Sequence, residues 1–409
     1  MIGNLFLVAV AFYLAVLTAL QPRNGTKQFL ILVSVLPLSY FFEVQFSILT
    51  FLKIYVVIHF FLCLWLFICR KVELKFSVTI VFSLSCFLLI YFLSPYYHQT
   101  ASTAAFLRDI VPVLFLVILL LSGEIIARES KVSVKFIKKL VLLAILIDFI
   151  MYLSVHKFNI IPSGIRGEFY LRTGVVRYSD IFTLAAFALS SIFYFESKNN
   201  KPIWLFSILA ISVMSLDRVF LLWSIIVLSH YFITHRNLLV NTLFYVVSVA
   251  IALASVQFIV NLTAENELVG RFAEMLSFDL LINALYERFG EPAVAGGYTL
   301  DWRTFLVGEG AGFKFYIPWF IYRELDPYQI SVDSFFVANY VKYGVLGLLS
   351  LCLLIITPLF KVSVKAFLWL PIYLVVHNGI LVDSFLLIIS TTLLISYSTP
   401  AKDNSKNAI

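Results

Sequence analysis

The sequence predicts an all-α fold, a polytopic transmembrane helical bundle of about 12–13 spans. Three observations favour this class. Hydrophobic residues make up 61% of the 409 positions and charged residues only 13%, with a mean hydropathy of +0.97. Apolar runs recur along the whole chain, and Lys and Arg collect in alternate breaks between them. A water-soluble fold could not bury this much apolar surface.

Most of the apolar runs approach the roughly 20 residues that a helix needs to cross the hydrocarbon layer. Charged or turn-forming residues bound each run. The runs on either side of Ser215–Arg218 are also compatible with one long helix, which would lower the count. The predicted spans lie near 2–20, 28–42, 46–69, 77–94, 110–127, 140–155, 180–195, 203–215, 219–234, 238–258, 334–358, 366–381 and 384–398.

The distribution of basic residues predicts the orientation. Alternate breaks hold 17 of the 30 Lys and Arg residues, and such breaks face the cytoplasm in membrane proteins. The basic breaks are 21–27, 70–76, 124–139, 196–202, 235–237, 359–365 and 399–409. The chain is therefore expected to be a multi-pass protein of the bacterial inner (cytoplasmic) membrane, with its active site on the periplasmic side.

Two outward segments are long enough to carry function. They are an arginine-rich loop at 156–179 and a large loop at 259–333, both within a single integral membrane domain that covers 1–409. The large loop is rich in aromatic residues, which argues against disorder. Long loops of this kind in compact proteins are usually functional.

Arginines are concentrated in these outward segments. Guanidinium groups bind phosphate oxygens in a bidentate manner and keep their charge, so the cluster suits a lipid diphosphate headgroup. The alternative is that each arginine pairs with nearby acidic residues or with phospholipid headgroups. The candidates are Arg166, Arg172 and Arg177 in the first loop, Arg218 in a short turn, and Arg303 in the large loop.

The segment GEGAG, residues 308–312, lacks the GK[ST] of a nucleotide-binding loop. It is expected to form a tight backbone path beneath a ligand, or a plain turn. Asp333 follows at the start of a predicted span, as a functional carboxylate or a helix cap. Lys342 lies deeper in that span, and Asp148 lies in the middle of an earlier one. Asp148 is expected to pair with Lys342 or with Lys53, or to line a polar cavity.

The motifs LRTGVVRYSD, SLDRVFLLW, GEGAG and VDSFFVANYVKYGVLG together resemble the O-antigen polymerases, which are related to the O-antigen ligases. The resemblance implies a glycosyltransferase of the C type, active in polysaccharide and lipopolysaccharide biosynthesis. Its implied donor is a glycan on undecaprenyl diphosphate. Arg172, Arg177 and Arg218 match the outward arginines of that family. In the ligases a histidine ends the long loop, whereas this chain has Asp333 there.

The resulting hypothesis assigns three roles. Asp333, or else Glu309 or His377, takes the proton of the acceptor hydroxyl. Aromatic side chains stack on sugar rings, the candidates being Trp302, Tyr316 and Trp319. The diphosphate is held by Arg166, Arg172, Arg177, Arg218 and Arg303.

Neither a cofactor nor a metal is predicted. The expected partners are the lipid-linked glycan, membrane lipids, a chain-length regulator and a flippase, and no nucleic acid. Three alternative functions remain: a flippase for the same lipid-linked glycan, an O-antigen ligase, and a membrane O-acyltransferase. The last would need a catalytic histidine deep in the helices, where His59 and His230 lie without an obvious partner.

Overall fold

The structure is a computed structural model, and 86% of its described residues are helical. The described residues are 2–35, 48–69, 78–93, 103–130, 132–158, 169–172, 175–178, 181–196, 201–215, 217–234, 282–283, 285–323, 325–329, 331–332, 334–359 and 364–376.

The chain divides into two compact units. The first comprises Met1–Leu221, Leu300–Phe313 and Asp333–Ile409, and the second comprises Leu222–Thr299 and Lys314–Val332. Residues of the large loop predicted at 259–333 therefore fall in both units. The division lies within one helix, since Arg218–Thr234 is continuous.

The longer helices belong mainly to the first unit. They are α1 Ile2–Leu20, α2 Pro22–Val35, α3 Ile48–Ile68, α4 Val78–Leu93, α5 Thr103–Ser130, α6 Val134–Phe158, α7 Ile181–Glu196, α8 Lys201–Ser215 and α9 Arg218–Thr234. Two short helices follow, α10 Glu291–Ala295 and α11 Trp302–Val307, and then α12 Phe335–Leu359 and α13 Leu370–Val376.

Packing in the first unit joins helices that are close in sequence and one pair that is not. Helix α1 packs against α2 and α3, and α7 packs against α8. Helix α12 packs against α4 and α11, although α4 lies far away in sequence. This arrangement brings the predicted GEGAG loop, which follows α11, onto α12.

A polytopic bundle of about 12–13 transmembrane spans is wrong for the described residues. Among them, one helical stretch, Phe335–Ile356, is long and apolar enough to cross a membrane. Helix length accounts for three of the predicted spans. Helices α7, α8 and α9 have 16, 15 and 17 residues, and at 1.5 Å per residue each is shorter than the roughly 30 Å hydrocarbon layer.

Four short strands form two antiparallel hairpins. Strands β1 Phe169–Arg172 and β2 Val175–Tyr178 pair in the first unit, and β2 contacts α6 and α8. Strands β3 Phe315–Tyr316 and β4 Tyr328–Gln329 pair in the second unit. The first hairpin lies within the predicted arginine-rich loop and gives that loop a defined register.

Candidate functional site

Asp109 forms the centre of a buried junction between α5, the GEGAG loop and α12. One of its carboxylate oxygens accepts a hydrogen bond from Lys342 Nζ at 2.5 Å, and the other accepts from the Gly312 backbone N–H at 2.5 Å. The side chains of Lys342 and Asp109 are only 7% and 5% exposed. A buried ion pair needs additional hydrogen bonds to offset desolvation, and the Gly312 N–H supplies one.

The loop also bonds to α12 through the backbone. Helix α12 is interrupted at Gly344, where φ is 63° and ψ is −171°. The break frees carbonyls that a continuous helix would use. The backbone N–H groups of Glu309 and Gly310 donate to the carbonyls of Val341 and Lys342, both at 2.8 Å. The interruption in α12 is therefore satisfied by the loop, as buried backbone groups require.

Two glycines allow the loop and the helix to approach this closely. A Cβ at Gly308 would clash with the carbonyl group of Lys342, and a Cβ at Gly344 would clash with the carbonyl group of Leu306. Both glycines also have positive φ, which other residues rarely adopt. GEGAG thus forms a tight backbone path against α12, and the ligand expected above it stays a prediction.

Helix α11 carries two predicted site residues beside this junction. Asp301 caps the helix, because its carboxylate accepts from the Thr304 backbone N–H at 2.7 Å while the Thr304 hydroxyl accepts from the Asp301 N–H at 3.0 Å. Trp302 and Arg303 occupy the first turn, and both are exposed. The capping box therefore fixes the start of the helix that presents them.

The cap makes the order of α11 depend on pH. Hydrogen bonds from Thr304 hold the pKa of Asp301 below its usual value of 3.8. Since the pKa of the folded state is the lower one, the stabilisation is complete above pH 3.8 and is lost as the pH falls below it. We expect amide hydrogen-exchange protection of residues 303–307 to fall in acid. Asp301→Asn, which keeps a capping side chain without the charge, should show a smaller fall.

The first hairpin brings two predicted arginines together. Its register pairs Arg172 with Val175 and Tyr170 with Arg177. Residues directly opposite each other, and residues two apart on one strand, share a face, so positions 172 and 177 lie on the same face as diagonal neighbours. The hairpin thus brings two of the predicted diphosphate-binding positions to one surface.

Arg218 is the first residue of α9, and Arg166 lies outside the described residues. Asp217 precedes Arg218 and accepts hydrogen bonds from the backbone N–H groups of Val219 at 2.8 Å and Phe220 at 3.4 Å. Stacking of Phe220 on Phe187, with ring centroids 4.0 Å apart, fixes this end of α9. The backbone of Arg218 therefore lies at the capped N-terminus of α9.

The remaining predicted site residues are distributed over both units. Asp333 and His377 lie outside the described residues. Glu309 is half-buried in the GEGAG loop of the first unit. Tyr316 belongs to the second unit, where its ring centroid lies 5.2 Å from that of Tyr328, and Trp319 lies in a 3-10 turn at Pro318–Arg323.

The partner of Lys342 is Asp109, so the predicted pairing of Lys342 with Asp148 is wrong. Asp148 instead accepts a hydrogen bond from the Thr183 hydroxyl at 3.4 Å, and Lys53 Nζ lies 5.6 Å above the Phe115 ring. Sequence reasoning missed Asp109 because the apolar run begins at residue 110, so Asp109 was assigned to a loop. The helix begins earlier, at Thr103. The sequence signal that could have identified Asp109 is its position directly before a long apolar run.

His59 has partners that the sequence did not indicate. Its Nδ1 lies 2.6 Å from the Ser122 hydroxyl, and its Nε2 lies 3.5 Å from Cys63 Sγ. All three residues are buried. The contact joins α3 to α5.

Among the described residues, no group of three or more His, Cys, Asp or Glu side chains is arranged to hold a metal ion. Comparison with known proteins gives one match, to a protein family. No curated protein matches this chain, and no solved structure matches it. A family of unknown function, DUF6369, matches residues 27–402. That match covers most of the chain, and the protein therefore belongs to the DUF6369 family.

Proposed function

We propose that this protein polymerises oligosaccharide repeat units by glycosyl transfer from an undecaprenyl diphosphate carrier, the chemistry of the O-antigen polymerases that its motifs resemble. The observation that carries the proposal is the shared hairpin face of Arg172 and Arg177. Diagonal neighbours in a hairpin are about 7–8 Å apart. Arginines at backbone positions this close can bind the two phosphates of one diphosphate together.

The proposed step is a displacement at the anomeric carbon of the donor sugar. The acceptor hydroxyl oxygen forms a bond to that carbon while the bond to the diphosphate oxygen breaks and its electron pair passes to the phosphate. Arg172, Arg177 and Arg218 stabilise the developing negative charge. The acceptor proton passes to a carboxylate or imidazole, with Asp333 as the first candidate and Glu309 and His377 as the others.

We further propose that the chain works in the bacterial inner membrane, with this site on the periplasmic side. Phe335–Ile356 is long and apolar enough to cross a membrane. Large apolar side chains on other helices are exposed, for example Trp65 at 58% and Phe206 at 63%. Extensive exposed apolar surface is typical of proteins that contact lipid or partners.

Replacing the hairpin arginines one at a time tests the proposal. We expect Arg172→Ala and Arg177→Ala each to lower the rate of transfer about 100-fold or more, since loss of one donor to a developing anion has effects of that size. Arg172→Lys should recover part of the loss, because lysine keeps the charge without the bidentate geometry. The measurement is elongation of a purified lipid-linked repeat unit by the protein in vesicles.

Arg23→Ala is the matched control, because Arg23 is an exposed arginine on α2. It should elongate at the wild-type rate. A double variant, Arg172→Ala with Arg177→Ala, that accumulates normally and builds long polymer at the wild-type rate would refute the proposed role of the hairpin.

A flippase for the same lipid-linked glycan is the second candidate. The observation that favours it is the interruption of α12 at Gly344, beside a buried lysine. Interrupted helices with charged groups are typical of transporter binding sites. In the same vesicles, a ladder of products supports the polymerase, whereas unmodified substrate that has crossed the bilayer supports the flippase.

A further inference from the structure

A partly enclosed apolar groove lies between α2, α6 and α7, within the first unit. It is lined by Leu30 of α2, by Ile137 and Val141 of α6, and by Ala186 and Leu189 of α7. Ser34 also lines it, but its hydroxyl donates to the Leu30 carbonyl at 2.8 Å. The wall of the groove therefore suits a hydrocarbon chain.

Lysines stand at one end of this groove. Lys27 Nζ lies 5.9 Å from the centroid of the Phe136 ring, and Lys138 Nζ lies 5.2 Å from that of Phe193. Lys27 precedes Leu30 by three residues, and Lys138 precedes Val141 by three. Residues three apart share one helix face. Each lysine is therefore one turn from a residue of the apolar wall.

The helix directions put both lysines at the same end. The contact between Lys27 and Phe136 joins the beginnings of α2 and α6, and the contact between Lys138 and Phe193 joins the beginning of α6 to the end of α7. Four further basic residues lie near the same helix ends: Arg23, Lys135, Lys139 and Lys201. The acidic residues near the same helix ends are Glu196 of α7 and Glu129 and Glu124 of α5, and Glu124 pairs with Arg128 at 3.4 Å.

We propose that this groove binds one anionic phospholipid, with an acyl chain against the apolar wall and the phosphate at Lys27 and Lys138. The apolar lining of the groove matches the acyl chain of such a lipid, and the positive charge at one end matches its phosphate. Each lysine near an anionic lipid surface contributes about 1 kcal/mol of attraction. The inference does not depend on glycan transfer.

The test is native mass spectrometry of the full chain after delipidation, with phosphatidylglycerol or phosphatidylcholine added to the detergent. We expect one phosphatidylglycerol to be retained in preference to phosphatidylcholine. Lys27→Gln combined with Lys138→Gln should weaken its binding about thirtyfold, given the usual contribution of a lysine near an anionic lipid. The matched control is Lys135→Gln with Lys139→Gln, which removes the same charge from exposed positions of α6.

Three outcomes would overturn the proposal. One is equal retention of the two lipids. Another is an equal loss of binding in both double variants, which would indicate general electrostatic attraction. The third is displacement of phosphatidylglycerol by an equal concentration of a polyprenyl diphosphate, which would assign the groove to a substrate lipid. Ala144→Leu, which fills the apolar wall from a half-buried position, should abolish retention in protein that remains folded.

Discussion

Replacing Asp109 with alanine is expected to lower the free energy of unfolding by about 3–5 kcal/mol. The variant leaves Lys342 buried without its counter-charge and leaves the Gly312 N–H without its acceptor. An uncompensated buried charge costs more than the intact pair contributes. The measurement is urea unfolding of the purified chain in detergent, followed by tryptophan fluorescence.

A double-mutant cycle measures the interaction energy between Asp109 and Lys342 separately from the other effects of each substitution. Lys342→Met alone should also destabilise strongly, whereas Asp109→Ala with Lys342→Met should be less destabilised than the sum of these two single variants. Lys135→Met is the control, because Lys135 is exposed on α6 and should change stability by less than about 0.5 kcal/mol. Additive effects in the cycle would contradict the ion pair.

Gly308→Ala is expected to separate the loop from α12 and to destabilise the protein by about 3 kcal/mol or more. The new Cβ would clash with the carbonyl group of Lys342, which is rigid backbone. Gly344→Ala should have a similar effect through the carbonyl group of Leu306. Exposure of the loop can be followed by limited proteolysis between residues 300 and 313.

Gly297→Ala provides a control for backbone strain. Gly297 has a φ of 99°, but a Cβ there would meet no atom within 4 Å. This variant should therefore lose only the roughly 1–2 kcal/mol that positive φ costs a residue with a side chain. If Gly308→Ala is no more destabilised than Gly297→Ala, the close approach of loop and helix is incorrect.

The sequence located individual helices well because apolar runs bounded by charges coincide with them. The predicted run at 2–20 is the helix Ile2–Leu20, and the run at 77–94 is the helix Val78–Leu93. The step from apolar run to membrane span failed. Composition alone does not reveal whether a helix such as α8 continues far enough to cross a bilayer.

The candidate site was predictable only in its parts. Lys342 and GEGAG both attracted attention as unusual features, but the residue that links them did not. Asp109 contacts Gly312 and Lys342 across 203 and 233 residues of sequence. A single sequence carries no signal for contacts at such separations. The hairpin register that pairs Arg172 with Val175 and Tyr170 with Arg177 could not be predicted either. Its two strands have only four residues each, which is too short for a clear alternating pattern.

The bonding of Glu309 and Gly310 to the carbonyls of Val341 and Lys342 limits how the length of the chain can vary. A residue inserted between Gly308 and Gly312 would shift the two donors away from their acceptors and leave the gap in α12 without partners. The segment Lys314–Val332 belongs to the second unit and supplies none of these donors or acceptors. Across related proteins, insertions and deletions should accumulate in that connection and spare the five residues of GEGAG.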